Sequence, residues 1–166
     1  MASVMRSDVI RNVLAECLSE SHVSVLDKLS DEKYDEDVAA DLGLKATIIR
    51  TLLNDLHENS LVEYQRTKNK KTGWYTYLWV RREGKIKEYV QNWLNFQLLE
   101  LNSRLEDETR NVTFNCECMR VPYESAMEAN FRCGSCGGDF VEYNNSELID
   151  EIVSEVARIN SLVEQI

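Results

Sequence analysis

Four cysteines, Cys116, Cys118, Cys133 and Cys136, fall in one short stretch, while the fifth, Cys17, stands alone. Two thiolate pairs with fourteen residues between them can grip one tetrahedral metal ion from a small β-ribbon. The second pair, Cys133-Gly134-Ser135-Cys136-Gly137-Gly138, has the C-x-x-C form of a metal knuckle, with glycines that permit positive φ beside the sulfurs. The first, Cys116-Glu117-Cys118, is one residue short. That shortening strains the turn and takes away a backbone N–H that could point at sulfur. Zn2+ is the first choice for four soft thiolates, with an iron–sulfur centre or an empty site as the alternatives. Four protein ligands leave no position for substrate, so the expected role is structural.

A second constellation is cationic and aromatic. Arg66, Lys68, Lys70 and Lys71 form the one dense basic cluster, next to Trp74, Tyr75, Tyr77 and Trp79. On a strand, Tyr75, Tyr77 and Trp79 share one face, and Trp74, Thr76 and Leu78 share the other. Cations beside rings suit single-stranded nucleic acid or a protein groove. The same residues would also serve a hairpin with inward-packed aromatics and a solvated basic turn. Catalysis finds no comparable set. His22 and His57 are far apart in sequence, and there is no phosphate-cradling glycine loop or dinucleotide fingerprint. The chain reads as a non-enzyme with no small-molecule substrate.

The elements that must position these groups follow from periodicity. Ser7 can cap a first helix with Ile10, Val13, Leu14, Cys17 and Leu18 on one face. A helix over 35–42, a break at Gly43 and a helix over 45–58 predict a helix-turn-helix, with Ile48, Ile49, Leu52, Leu53 and Leu56 inward. Strands over 61–66 and 73–80 flank a polar basic loop over 67–72, and the wing is read as Arg66 to Lys71. A long helix over 84–109 would extend about 39 Å. Its last acids, Glu106, Asp107 and Glu108, oppose the helix dipole, which implies fraying or a basic partner. Ser146 can cap a final helix whose stripe from Leu148 to Val163 packs back on the long helix or meets another chain.

The expected fold is therefore α+β and mostly helical. A winged helix-turn-helix over 1–83 is joined by a connector helix over 84–110 to a zinc-ribbon β domain over 111–145, with a C-terminal helix over 146–166. Net charge is −10 and unevenly placed: residues 1–82 hold 12 Lys/Arg against 13 Asp/Glu, and residues 83–166 hold 7 against 16. Such a balance disfavours autonomous duplex-DNA binding and favours a basic protein surface. On the third helix, outward positions Lys45, Thr47, Arg50, Asn54, Asp55, His57 and Glu58 include acids that would face phosphates. The opening residues lack a signal-peptide core, and no apolar run approaches the roughly 18 residues of a membrane span. A cytoplasmic protein with reduced thiols and no membrane contact is expected.

The order of modules, the aromatic strand Gly73-Trp74-Tyr75-Thr76-Tyr77-Leu78-Trp79 and the segment from Glu124 to Cys133 resemble archaeal transcription factor E. The chain is also similar to the N-terminal half of the α subunit of general transcription factor IIE. The resemblance covers nearly the whole chain. It implies zinc on Cys116, Cys118, Cys133 and Cys136, although the family pattern has C-x-x-C in the first pair, where this sequence departs from it. It further implies a basal initiation factor that docks on the RNA polymerase clamp and stalk, within the complex of TATA-binding protein and promoter. Such a factor promotes promoter opening and stabilises the open complex. Its wing lies near the non-template strand, so Arg66, Lys68, Lys70, Lys71, Trp74 and Tyr75 are the implied polymerase or DNA contacts. The setting would be the archaeal cytoplasm, at the nucleoid during initiation. The alternative is a winged-helix regulator that reads a specific duplex sequence and carries a structural metal ribbon.

Overall fold

Helices form where a polar cap meets an apolar stripe. In the computed structural model, which describes residues 3–68, 73 and 75–166, Ser7 accepts a hydrogen bond from the Ile10 N–H to open α1 (Asp8–Cys17). Ile10, Val13 and Leu14 are buried on its inner face. Cys17 donates to the Leu14 carbonyl at 3.7 Å, and burial pushes its thiol up to about 11. It is a packing residue, not a reactive one.

Ser19 caps a helix that the periodicity did not predict, α2 (Glu20–Lys28), by accepting from the His22 N–H at 3.4 Å. A short strand β1 (Lys33–Tyr34) leads into α3 (Asp35–Leu42). Gly43, at φ +64°, ends α3 in a Schellman turn: the Gly43 N–H donates to Ala40 and the Leu44 N–H to Ala39. The next helix, α4 (Ala46–Glu58), closes in the same way with a serine in the left-handed position. Ser60 has φ +61°, and the Leu61 N–H donates to the Leu56 carbonyl at 2.9 Å. Leu61 is thereby fully buried, which offsets a left-handed cost of about 1–2 kcal/mol.

Two longer strands complete this unit, β2 (Val62–Lys68) and β3 (Tyr75–Arg81), paired from Val62 opposite Arg81 to Lys68 opposite Tyr75. With β1 they form one sheet of order β1-β3-β2. β2 runs two residues further than expected, so Lys68, expected in the loop, stands on the strand with Arg66. Lys70, Lys71 and Trp74 lie outside the described residues. The core comes from the stripes of α1 to α4: Leu14, Leu26, Val38, Ile49, Leu53 and Leu56 are fully buried. Ile48, expected inward, is 45% exposed, because α4 buries a narrower face than its apolar residues mark out.

Arg81 binds the unit's ends together. Its side chain is only 6% exposed and donates to the Leu26 carbonyl at 2.9 Å, to Ser3 Oγ at 2.7 Å and to Glu83 at 2.8 Å. Glu83 in turn accepts the Val4 N–H at 2.9 Å. Arg81→Leu leaves the Leu26 carbonyl and Ser3 unpartnered. It is expected to lower stability by about 2–3 kcal/mol in urea denaturation.

The helix α5 (Glu83–Arg110) follows, and the division between the chain's two units falls inside it: one ends at Leu94, and the other begins at Asn95 and ends at Glu164. The second unit holds β4 (Thr113–Asn115), β5 (Arg120–Pro122), α6 (Tyr123–Glu128) and β6 (Val141–Glu142), with sheet order β5-β4-β6. Six residues were too few for α6 to declare itself by periodicity. Its Ala126 joins Cys133 and Phe140 in a small core, flanked by Phe114, Val121 and Phe131. Asn130 and Phe131 both take positive φ, +50° and +53°, in the Schellman turn that ends α6. An aromatic residue there is strained, and its ring, 5.1 Å from Phe114, helps to hold it.

The last helix, α7 (Ser146–Glu164), has Asn145 and not Ser146 at its cap position, since the Ile149 N–H donates to the Asn145 carbonyl at 2.9 Å. Ile152 and Ile159 of its stripe are buried, while Val153 stays 48% exposed. No helix among the described residues is long and apolar enough to cross a membrane.

Candidate metal centre and contact surfaces

The turn between β4 and β5 delivers Cys116 and Cys118, closed by the Cys116 N–H donating to the Met119 carbonyl at 3.0 Å. The strained turn after α6 delivers Cys133 and Cys136. Sulfur separations are 3.5 Å for Cys116–Cys118, 3.5 Å for Cys118–Cys133 and 3.7 Å for Cys136–Cys116, with all four sulfurs within 4.8 Å of one another. The edge of a tetrahedron with Zn–S bonds of ~2.3 Å is about 3.8 Å. The short C-x-C pair therefore does not stop the sulfurs converging, and the cluster fits a zinc ribbon.

The glycine knuckle supplies the polarity. Gly137, at φ +73°, donates to the Cys133 carbonyl, and the Cys133 N–H donates to Gly138 at 2.8 Å. The Cys136 and Ser135 N–H groups turn towards the Cys133 sulfur and hold its thiol down to about 6. Cys118 is pushed up to about 12 by its neighbours, Cys116 first and then Cys133. The Cys133 sulfur is primed as thiolate, while the Cys118 and Cys136 thiols resist ionising beside it. A divalent cation resolves that conflict.

A polar anchor that sequence reading missed holds the ribbon on its stem. Glu108, in the last turns of α5, accepts from Arg120 of β5 at 2.6 and 3.1 Å and from Asn145 at 3.0 Å. Asn145 also donates to the Glu108 backbone carbonyl at 2.6 Å, and the Arg120 guanidinium lies 4.2 Å from the Tyr143 ring centre. Glu106 pairs with Arg110. Among these terminal acids, then, Glu108 and Glu106 are neutralised inside the unit. The Arg120 hydrogen bonds, and then Asn145, lower the Glu108 pKa from its ordinary value. A carboxyl lowered in the fold stabilises it fully above its unfolded pKa of about 4.3, and that contribution disappears as pH falls through the lower folded value. Glu108→Gln is expected to cost about 1 kcal/mol at pH 7 after allowance for solvent screening. Its melting temperature should converge with that of the parent chain in acid, as followed by circular dichroism.

The hairpin carries a graded aromatic face. Trp79 is buried and touches Tyr64 (ring centres 4.9 Å apart), Tyr64 meets Tyr77 at 5.1 Å, and His57 of α4 lies 5.0 Å from Tyr64. Burial fades towards the tip, where Tyr75 is 47% exposed under the Arg66 guanidinium at 3.5 Å and Lys68 Nζ at 5.7 Å. Arg66, Lys68 and Tyr75 are thus together; Lys70, Lys71 and Trp74 lie outside the described residues.

The helix-turn-helix presents a different surface. Arg50, the outward cation of α4, is held by Asp35 and reaches Glu36 at 3.7 Å. Asp55 stands 3.4 Å from His22. Beside them Leu44 and Ile48 are exposed, at 42% and 45%. Neither the Asp35–Arg50 pair nor the Glu108 anchor leaves a local signal in the sequence.

With this geometry described, the likeness to known proteins can be placed on it. The family model for the TFIIE alpha subunit matches residues 8–110. Transcription factor E of Methanocaldococcus jannaschii is 35% identical over 141 residues, covering 82% of this chain and 82% of that protein. Transcription factor E of Methanococcus maripaludis is 33% identical over 159 residues, 92% and 91% of the two chains. The protein of the same name from Metallosphaera sedula is 33% identical over 162 residues, covering 90% and 92%. Coverage of that extent takes in the ribbon as well as the winged helix. The chain belongs to the TFIIE alpha subunit family of transcription factors.

Proposed function

We propose that the chain is a non-enzymatic basal initiation factor that docks on RNA polymerase, promotes promoter opening and stabilises the open complex. The observation that carries this reading is the outward surface of α4. A helix that reads the major groove needs free cations or amides. Yet Arg50, the one arginine or lysine within α4, is tied to Asp35 and Glu36, which leaves Asn54 as an exposed amide beside the acids Asp55 and Glu58. Leu44 and Ile48, by contrast, are exposed. That surface suits a protein partner, and polymerase is the partner the family context supplies.

The wing is given the nucleic-acid role. Arg66 and Lys68 over the exposed Tyr75 ring offer stacking and phosphate pairing to the non-template strand of a melted promoter. Lys70, Lys71 and Trp74 are assigned to the same contact on their place in the sequence. Cys116, Cys118, Cys133 and Cys136 would hold one zinc ion, whose chemistry is structural closure of the ribbon. The polymerase clamp and stalk, TATA-binding protein and promoter are the remaining partners of this reading, in an archaeal cytoplasm. The domain limits adopted with it are 1–83, 84–110, 111–145 and 146–166.

The test sets a pull-down with purified archaeal RNA polymerase beside a duplex gel shift. Binding to polymerase, and to a pre-melted promoter complex, with weak duplex binding is expected. Specific nanomolar duplex binding without polymerase would establish the regulator reading instead.

A further inference from the structure

The second unit carries a groove on its surface. It lies between the end of α5, strands β4 and β5 and the start of α6, with a volume near 860 Å3. That is within the roughly 300–1,000 Å3 of pockets that bury ligand-sized groups. Its apolar lining reaches the surface at Val112 (54% exposed) and Tyr123 (45%), with Pro122 and Phe114 between. Asp107, Glu124 and Glu142 stand around it, and none of them makes an ion pair among the described residues. Its two cations are already used: Arg110 pairs with Glu106, and Arg120 with Glu108. The groove is therefore lined by exposed apolar side chains together with unpaired carboxylates.

We infer that this groove seats a basic segment of a partner protein, one that places an apolar side chain against Tyr123 and Val112 and lysine or arginine against Glu124, Glu142 and Asp107. Charge complementarity selects this occupant. Phosphate would meet three unpaired carboxylates, which excludes nucleic acid, and an acidic second copy of the chain would be repelled for the same reason. An aromatic ring flanked by carboxylates holds a guanidinium or ammonium by cation–π attraction and ion pairing together. The inference rests on the polymerase-docking reading, since polymerase then supplies the segment.

The full chain with p-benzoylphenylalanine at position 123 is bound to purified archaeal RNA polymerase and irradiated, and the joined peptide is identified by mass spectrometry. In parallel, polymerase affinity is measured for Glu124→Lys/Glu142→Lys, with zinc content and ribbon hydrogen exchange as checks on folding. The expected results are a cross-link to a polymerase segment of net positive charge containing an apolar residue, and an affinity lowered about 10-fold or more by charge reversal. A cross-link to an acidic segment or to DNA, no cross-link with polymerase bound, or unchanged affinity of the folded double variant would overturn the groove assignment. Failure of the unsubstituted chain to bind polymerase would overturn the docking reading itself, and this occupant with it.

Discussion

Cys118→Ser is expected to abolish metal binding and unfold residues 111–145. Cys118 is exposed, so exchanging sulfur for oxygen there removes a ligand without opening a cavity. The ribbon's own core is Ala126, Cys133 and Phe140, with partly buried neighbours. So small a cluster cannot offset the ordering of this stretch at about 1–2 kcal/mol per residue of backbone entropy. Metal binding of about 10–16 kcal/mol closes the gap. Amide hydrogen exchange by mass spectrometry should show the ribbon exchanging at the rate of an unfolded chain in the variant, and equally in the parent chain after chelation. The core of α1 to α4 should keep its protection. Full ribbon protection in a metal-free Cys118→Ser chain would mean that packing alone folds this module.

A comparable effect is expected at the wing. Tyr75→Ala removes the exposed ring beneath Arg66 and Lys68. Base–aromatic stacking contributes about 1–3 kcal/mol per base, so affinity for a promoter complex carrying a pre-melted bubble should fall about 5- to 150-fold. Arg66→Ala should weaken the same binding and also flatten its dependence on salt, because a phosphate contact is lost with the charge. Polymerase binding without DNA should be nearly unchanged in both variants. The stacked rings Tyr64 and Trp79 would make poor probes, since their loss also disturbs α4 through His57.

The sequence made local features readable and long-range ones invisible. Cysteine spacing was enough to find the cluster, because a metal site imposes its geometry on a short stretch of chain. Gly43 punctuated α3 and α4 in the same way, through a positive φ that glycine adopts freely. The second helix escaped because its stretch His22-Val23-Ser24-Val25 alternates polar and apolar residues, the period of a strand, while its ends carry no clear helical stripe. The strand limits of the wing were misplaced because Thr67 and Lys68 carry no apolar mark, although they pair fully with Thr76 and Tyr75. The Glu108–Arg120–Asn145 anchor joins residues up to 37 positions apart, and the Asp35–Arg50 pair joins two helices. Partners of that kind have no periodicity to betray them. Composition alone left Arg50 among the outward residues of α4; the fold pairs it with Asp35, which agrees with the docking reading that the acids on this face had already favoured over DNA reading.

Promoter opening by polymerase can be followed through the fluorescence of 2-aminopurine placed in the melting region. With TATA-binding protein and polymerase present, adding the chain should raise the fluorescence of the open state. The rise should be smaller with Tyr75→Ala and absent when polymerase is omitted. An opening signal indifferent to the chain, alongside tight sequence-specific binding of the chain to closed duplex, would contradict the account.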